Sequence, residues 1–285
     1  IDGIVESDSE SRIVLNGNTI QTINGSPSSE PMFHGIFSSS GLYIDLTATI
    51  NDTLDVGGQD LTISSGETLT MASGSVAVIS GGTWTRDGTL SLDADSKVLY
   101  TTNDQSTLTG QTYGNIEHDG GTLSLGASLI MGGTFTNTSG ELIAPNDIIC
   151  NGIQWNGGSL NGSPSSWDIG TDGIDLNSGT FVATSGSFTV AGDWDMAGNG
   201  TFDPGTGTVI FDGSDVQSIT SNSQAFYNVQ NSNSTSSVNL TDDLQLNSAG
   251  TLTINGGSVF SLAGNQFDHN NATIINNGIF EMNGN

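Results

Sequence analysis

From residue 60 onward the chain is written in short alternating pieces: "DLTI", "ETLTM", "SVAVI", "GTWT", "GTLSL" and "KVLY", then "SLIM", "GTFT", "ELIA", "DIIC", "GTFVA", "SFTVA", "DWDMA" and "GTVIF". Each puts an apolar residue at every second position, draws on β-branched and aromatic types, and is closed by Gly, Asn, Asp or Ser, the pattern of a strand followed by a turn. No stretch keeps apolar residues at helical spacing for more than one turn. The chain is therefore all-β. Strand centres recur roughly every six to ten residues, whereas a β-sandwich spaces its turn signals by about 8 to 12 and uses longer strands. A solenoid, with two or three short strands per coil and coils of roughly 20 residues or more, meets the closer spacing. The predicted fold is a right-handed parallel β-solenoid, with β-sandwich repeats as the alternative. In each alternating pair one side chain enters a narrow core. Leu252 and Ile254 of "TLTI" are thus expected inside, and Thr251 and Thr253 outside.

The rhythm carries a longer repeat. "IVLNGNTIQTI" at 13–23 returns as "VIFDGSDVQSI" at 209–219, keeping apolar sites apolar, the turn a turn, and Gln21 as Gln217. After it, "MFHGI" (32–36) matches "AFYNV" (225–229), and residues 45–71 match 239–262 with small length changes. A weaker copy opens at Lys97 with "KVLYTTNDQSTL". The chain holds about two and a half copies of a unit of roughly one hundred residues. The expected organisation is an N-terminal extension at 1–12, reaching into a neighbouring subunit, and units at 13–96, 97–208 and 209–285. The second unit is degenerate, with an insertion at about 146–178, and the third is truncated.

Charge narrows the partners. Lys plus Arg number 3 (Arg12, Arg86, Lys97) against 30 Asp plus Glu, a formal net charge of −27. Nucleic acid and anionic membrane surfaces require clustered cations, and three scattered ones supply none. Charged residues are only 12% of the chain, so the imbalance reflects missing bases more than added acids. Gly, at 40 of 285, is about twice its usual share, as a turn-rich chain with a thin core requires. No run of about 18 apolar residues exists, so no membrane insertion is expected. The opening "IDGIVESDSES" has neither a basic nor an apolar signal region, and the chain stops inside its own rhythm at "IFEMNGN". A mature subunit or a segment of something longer is expected. Cys150, alone in "NDIICNG", reads as a small buried hydrophobe.

The stretch "GTFDPGTGTVIFDGSDVQSI" (200–219), followed by "FYNV" and "LQLNSAGTLTINGG", resembles the repeats of large secreted prokaryotic cell-surface proteins. Those are adhesin-like or fibrous chains, generally parallel β-helices. The resemblance covers most of the chain and implies an extracellular repeat protein. It implies no catalytic residues.

Sharper chemistry has few carriers. A polyuronate-acting β-helix enzyme needs a basic residue beside its acidic substrate, and only Arg86 and Lys97 are available past the N-terminus, in a chain whose charge repels polyuronate. Asp193 and Asp195 in "GDWDMAG" form a carboxylate pair on one outer face, with Trp194 pointing into the core. No enzyme activity is expected. No cofactor is required; Ca²⁺ is the one candidate, with Asp93 and Asp95 of "DADS" as its ligands. Thr-x-Thr pairs such as Thr68 with Thr70 and Thr251 with Thr253 raise an ice-binding ladder, at irregular spacing. Six sequons, at Asn51, Asn137, Asn199, Asn233, Asn239 and Asn271, are expected by chance in so polar a chain. The reading is an extracellular structural protein of the cell surface, whose copies associate into a filament by stacking or strand exchange. The alternative is a carbohydrate-binding adhesin module or stalk that stacks sugars on Trp155 and Trp167, with Trp84 and Tyr113 as further platforms and residues 153–178 as the place to look.

Overall fold

The computed structural model describes residues 12–15, 21–24, 32–38, 40–101, 104–162, 166–183 and 185–282. They form 32 short strands and no helix, stacked in parallel as a β-solenoid of about 11 turns. A sandwich pairs its strands antiparallel, so the alternative fold does not describe this chain. The expected extension at 1–12 lies outside the described residues, apart from Arg12 at the start of the first strand.

The registers set the size of each coil. Phe33 lies opposite Ile50, Val98 opposite Ile116, Phe188 opposite Val209 and Trp194 opposite Ile219. A residue thus meets its counterpart after 17 to 25 positions. The described strands within 146–178 keep this spacing: Ile148–Trp155 pairs with Trp167–Leu176 through a bulge between Cys150 and Gly152. The stretch that departs from the sequence repeat is thus itself laid down as coil in register.

Alternation decides the core. In Leu244–Ile254, Leu252 and Ile254 are fully buried while Thr251 and Thr253 look outward. Stacking turns each inward position into a column, one of which runs Trp167, Phe188, Val209, Val229, Leu252, Ile274. Its aromatic part joins a contiguous cluster. Trp155 and Trp167 meet Phe181 edge-on at 5.3 and 5.5 Å, and Trp194 meets Phe202 at 5.0 Å. The indole N–H groups of Trp155 and Trp194 find no acceptor among the described residues, which costs about 1–3 kcal/mol each. Burying some 150–250 Å² per ring at about 25 cal/mol/Å² returns about 4–6 kcal/mol, so shape prevails.

The two copies of the opening repeat fold alike. Arg12–Leu15 and Gln21–Asn24 correspond to Thr208–Phe211 and Gln217–Thr220, with the same lengths and the same gap. Ile13 and Val209 are buried, as are Ile23 and Ile219.

Corners need backbone that other residues resist. Gly158 sits at φ 71°, where a Cβ would collide with the Gly140 carbonyl of the previous coil. Gly66, at φ 87°, has open space around it. Gly66→Ala is expected to cost about 1–2 kcal/mol, the left-handed penalty alone, and Gly158→Ala distinctly more. Urea unfolding midpoints of the two variants check this ordering.

Candidate functional site

Trp155 and Trp167 are not sugar platforms. Their relative exposures are 0% and 1%, because each falls on the inward phase of its strand, Trp155 two residues after buried Ile153 and Trp167 two before buried Ile169. Stacking on a sugar needs an open ring face. Trp84 and Tyr113 are buried as well. Trp194 fills the core while Asp193 is exposed and Asp195 half-exposed, as the alternation of that segment requires.

Asp93 and Asp95 lie exposed in one turn. Asp93 Oδ1 accepts the Asp95 N–H at 3.0 Å, and Asp95 Oδ2 accepts the Ser73 hydroxyl of the preceding coil at 3.2 Å. No third acid, His or Cys joins them, and among the described residues no group of three or more such side chains could hold a metal ion.

Acids recur throughout the stack in two structural roles. One closes the turn: Asp55 accepts from Gly57 N–H, Asp195 from Ala197, Asp203 from Gly205 and Asp268 from Asn270. The other caps the next coil: Asp60 accepts from Thr83 N–H at 2.7 Å, Asp147 from Ser166 at 2.8 Å, Asp193 from Ser218 at 2.7 Å and Asp243 from Gln266 at 2.8 Å. A short carboxylate is the natural acceptor for amides freed at a corner. The acidity of the chain is in this measure a property of its corners.

The repeated glutamine acts in the same way. Gln217, 1% exposed, donates to the carbonyls of Val190 and Gly192 at 2.8 and 2.7 Å and accepts the Gly213 N–H at 2.9 Å. It closes its own turn and ties that turn to the coil before. Buried Asn233 donates to the Asp215 carbonyl and accepts from Ser236 N–H, and buried Asn231 donates to the Val259 carbonyl. Gln105 repeats the device: its amide reaches the carbonyl of Ile79 at 2.8 Å. Ile79 lies opposite Tyr100 as Val190 lies opposite Phe211, and Ile79 and Val190 are each the last residue of their own strand.

Polar groups in one inward column are likewise used by the fold. The column runs Ile79, Tyr100, His118, Asn137, Trp155. The His118 ring contacts Asn137 Oδ1 at 2.6 Å and the Gly120 carbonyl at 2.8 Å, and Asn137 donates to the Gly157 carbonyl at 2.6 Å. Tyr100 and Tyr113 share a hydroxyl–hydroxyl bond of 3.0 Å, and the Tyr113 hydroxyl accepts the Leu108 N–H at 2.8 Å. Of the sequons, Asn137 and Asn233 are fully buried and closed to a glycan. Among the described residues the outward threonines stack only in short runs, as Thr49 on Thr70 and Thr68 on Thr89, while Thr136 stands between Glu117 and Gln154, and Thr253 between Gln230 and Ile275.

One concave feature arises where pairing stops. The smaller sheet of four strands, Gln21–Asn24, Leu42–Asp45, Leu61–Ile63 and Trp84–Arg86, ends at Trp84–Arg86. No described strand of the next coil covers it, and a cleft of about 600 Å³ opens there, lined by Trp84, Arg86, Asp104, Gln105, Thr107 and Thr109. Arg86 spans it, donating to Gln111 Oε1 at 2.9 Å and to the Thr109 carbonyl at 2.5 Å. The lining offers one guanidinium, one carboxylate and several hydroxyls, with no His or Cys. Such a site can hydrogen-bond a small polar molecule. The sequence reading misses it, since nothing local marks a strand that fails to gain a neighbour. Compared with family models, curated proteins and solved structures, the chain matches none.

Burial governs the two titrations that matter here. Cys150, in the inward column with Ile169, has its thiol pushed up to about 12 by burial, with the Asp168 charge adding to it. At pH 8 the thiolate fraction is on the order of one in ten thousand, so a maleimide is expected to leave native Cys150 unlabelled and to label it fully in denaturant. Mass spectrometry reads both. Tyr100 is raised well above its ordinary value by burial first and then by Tyr113. The folded state then holds this proton more tightly than the unfolded one. Its stabilising contribution is complete below about pH 10 and lost as pH climbs through the raised folded value. Thermal melts are expected to fall above pH 10, less steeply in Tyr100→Phe.

Proposed function

We propose that the chain is an extracellular structural protein of the cell surface, a β-solenoid whose copies associate into a fibre or filament. The observation that carries this reading is the stack itself: parallel strands joined coil to coil through about 11 turns, with no compact globular site built beside them among the described residues. A stack of this kind gives length and stiffness, because its strands are bonded to the coils above and below. A structural role also accounts for the polar groups, since the acids, Gln217, Asn233 and His118 serve the corners and the core.

The reading needs no cofactor. Ca²⁺ enters it only as a counter-ion to a chain of −27. The alternative, a carbohydrate-binding module or stalk, rests on the polar cleft beside Arg86 once the indoles are in the core. Electron microscopy of the purified chain, with and without EGTA, decides between them. Uniform filaments are expected in both conditions, and dissolution by EGTA would make calcium part of the contact. Isolated short rods at every concentration would overturn the reading, and glycan binding would then be measured on Arg86→Ala against the parent.

A further inference from the structure

We propose that the cleft beside Arg86 is a binding site for a neutral oligosaccharide, held by polar contacts from two consecutive coils and by no stacked ring. This inference rests on the second reading above, to which it gives a ligand class and contact residues, and it does not depend on whether copies associate.

The site is longer than the one cleft. The strand after Trp84–Arg86, Thr89–Leu92, is paired only with Thr68–Met71 among the described residues. A second cleft of about 550 Å³ opens there, with Arg86, Ser91, Gln111 and Thr112 in its lining. Among the described residues Arg86 alone lines both. Each volume falls in the range of about 300–1,000 Å³ typical of small-molecule sites. Two of them sharing one side chain suit a ligand of more than one sugar unit.

The walls select the class. Donors and acceptors are mixed: the Arg86 guanidinium shares its cleft with the exposed carboxylate of Asp104 and the hydroxyls of Ser106 and Thr109. A sugar hydroxyl donates and accepts at once, and so meets either kind. An anion is opposed by a chain of −27, and Arg86 is already engaged with Gln111 and Thr109. A cation finds one lining acid, Asp104, whose Oδ1 accepts the Thr122 N–H at 3.0 Å. An apolar ligand gains little, since Trp84 is buried.

One acceptor in this wall is unanswered. Gln105 and Gln217 make the same bridge to the coil before. Gln217 Oε1 accepts from Gly213 N–H at 2.9 Å and Asn233 Nδ2 at 3.3 Å, whereas the buried Gln105 Oε1 has no donor among the described residues. An unmet acceptor of this kind is costly. Gln105 lines the cleft, and a ligand hydroxyl is its donor.

Isothermal titration calorimetry on the full chain tests this, with cellotetraose, laminaritetraose and chitotetraose as neutral probes, tetragalacturonate as the anionic one, and circular dichroism melts to verify folding. At least one neutral probe is expected to saturate, with tetragalacturonate weaker by about tenfold or more. Ser106→Trp, at an exposed position in the lining, is expected to fill the cleft and cut affinity by about tenfold or more. Asp104→Asn keeps an acceptor for Thr122 and is expected to lose about fivefold. Absence of saturation by every neutral probe, tighter binding of tetragalacturonate, or unchanged affinity in Ser106→Trp each overturns the proposal. Should Ser106→Trp lose its melt, unchanged affinity in Asp104→Asn does so instead. Filaments that bind no sugar sink this inference and leave the structural reading standing, and isolated rods that bind sugar do the reverse.

Discussion

Everything in this molecule follows from parallel strands held about 4.8 Å apart, coil upon coil. At that spacing an inward side chain has its counterparts directly above and below, and the core becomes a bundle of columns whose members must agree in size and polarity. Cys150 is tolerated because it stands with Ile169, Val190 and Phe211 and needs only to be small and apolar. Asn231 enters the same column and is admissible because its amide reaches the Val259 carbonyl. A column thus settles both what a residue may be and which partner it must find.

The same spacing explains why so acidic a chain holds together. Each corner leaves amide groups unpaired, and Asp, Asn and Gln side chains accept from them, within the turn or across to the next coil. Asp193 capping Ser218 and Gln217 capping Gly213 are two versions of one solution. Among the described residues opposite charges meet where Lys97 lies 2.7 Å from Glu117, and a half-exposed pair of this kind contributes little.

How much of this could be read in the sequence depends on the range of the interaction. Alternation is local, and it yields the all-β parallel stack, the inward Leu252 and Ile254, and the buried Trp194. It also holds the signal against Trp155 as a sugar platform, since Ile153 and Trp155 share a phase. That signal is overridden when residues 153–178 are taken for an interruption, and only the register of Ile148–Trp155 on Trp167–Leu176 restores it. The repeated glutamine is visible in the sequence and its purpose is not, because its partners Val190 and Gly192 lie a coil away. The cleft beside Arg86 comes from a pairing that does not form, and no residue pattern marks it.

That missing pairing divides the rod. Between the strands up to Thr89–Leu92 and those from Lys97–Thr101 onward, a single described ladder, Val76–Ile79 against Lys97–Tyr100, crosses. Higher in the stack neighbouring coils are joined by several, as where Ser187–Val190 meets Thr208–Phe211, Trp194–Asp195 meets Gln217–Thr220 and Thr180–Val182 meets Thr201–Asp203. Under tension along its axis the solenoid is therefore not uniform. Load concentrates on one short ladder, helped by the bridges from Arg86 and Gln105, and extension begins at that seam, with the coils on either side parting as two stiff segments.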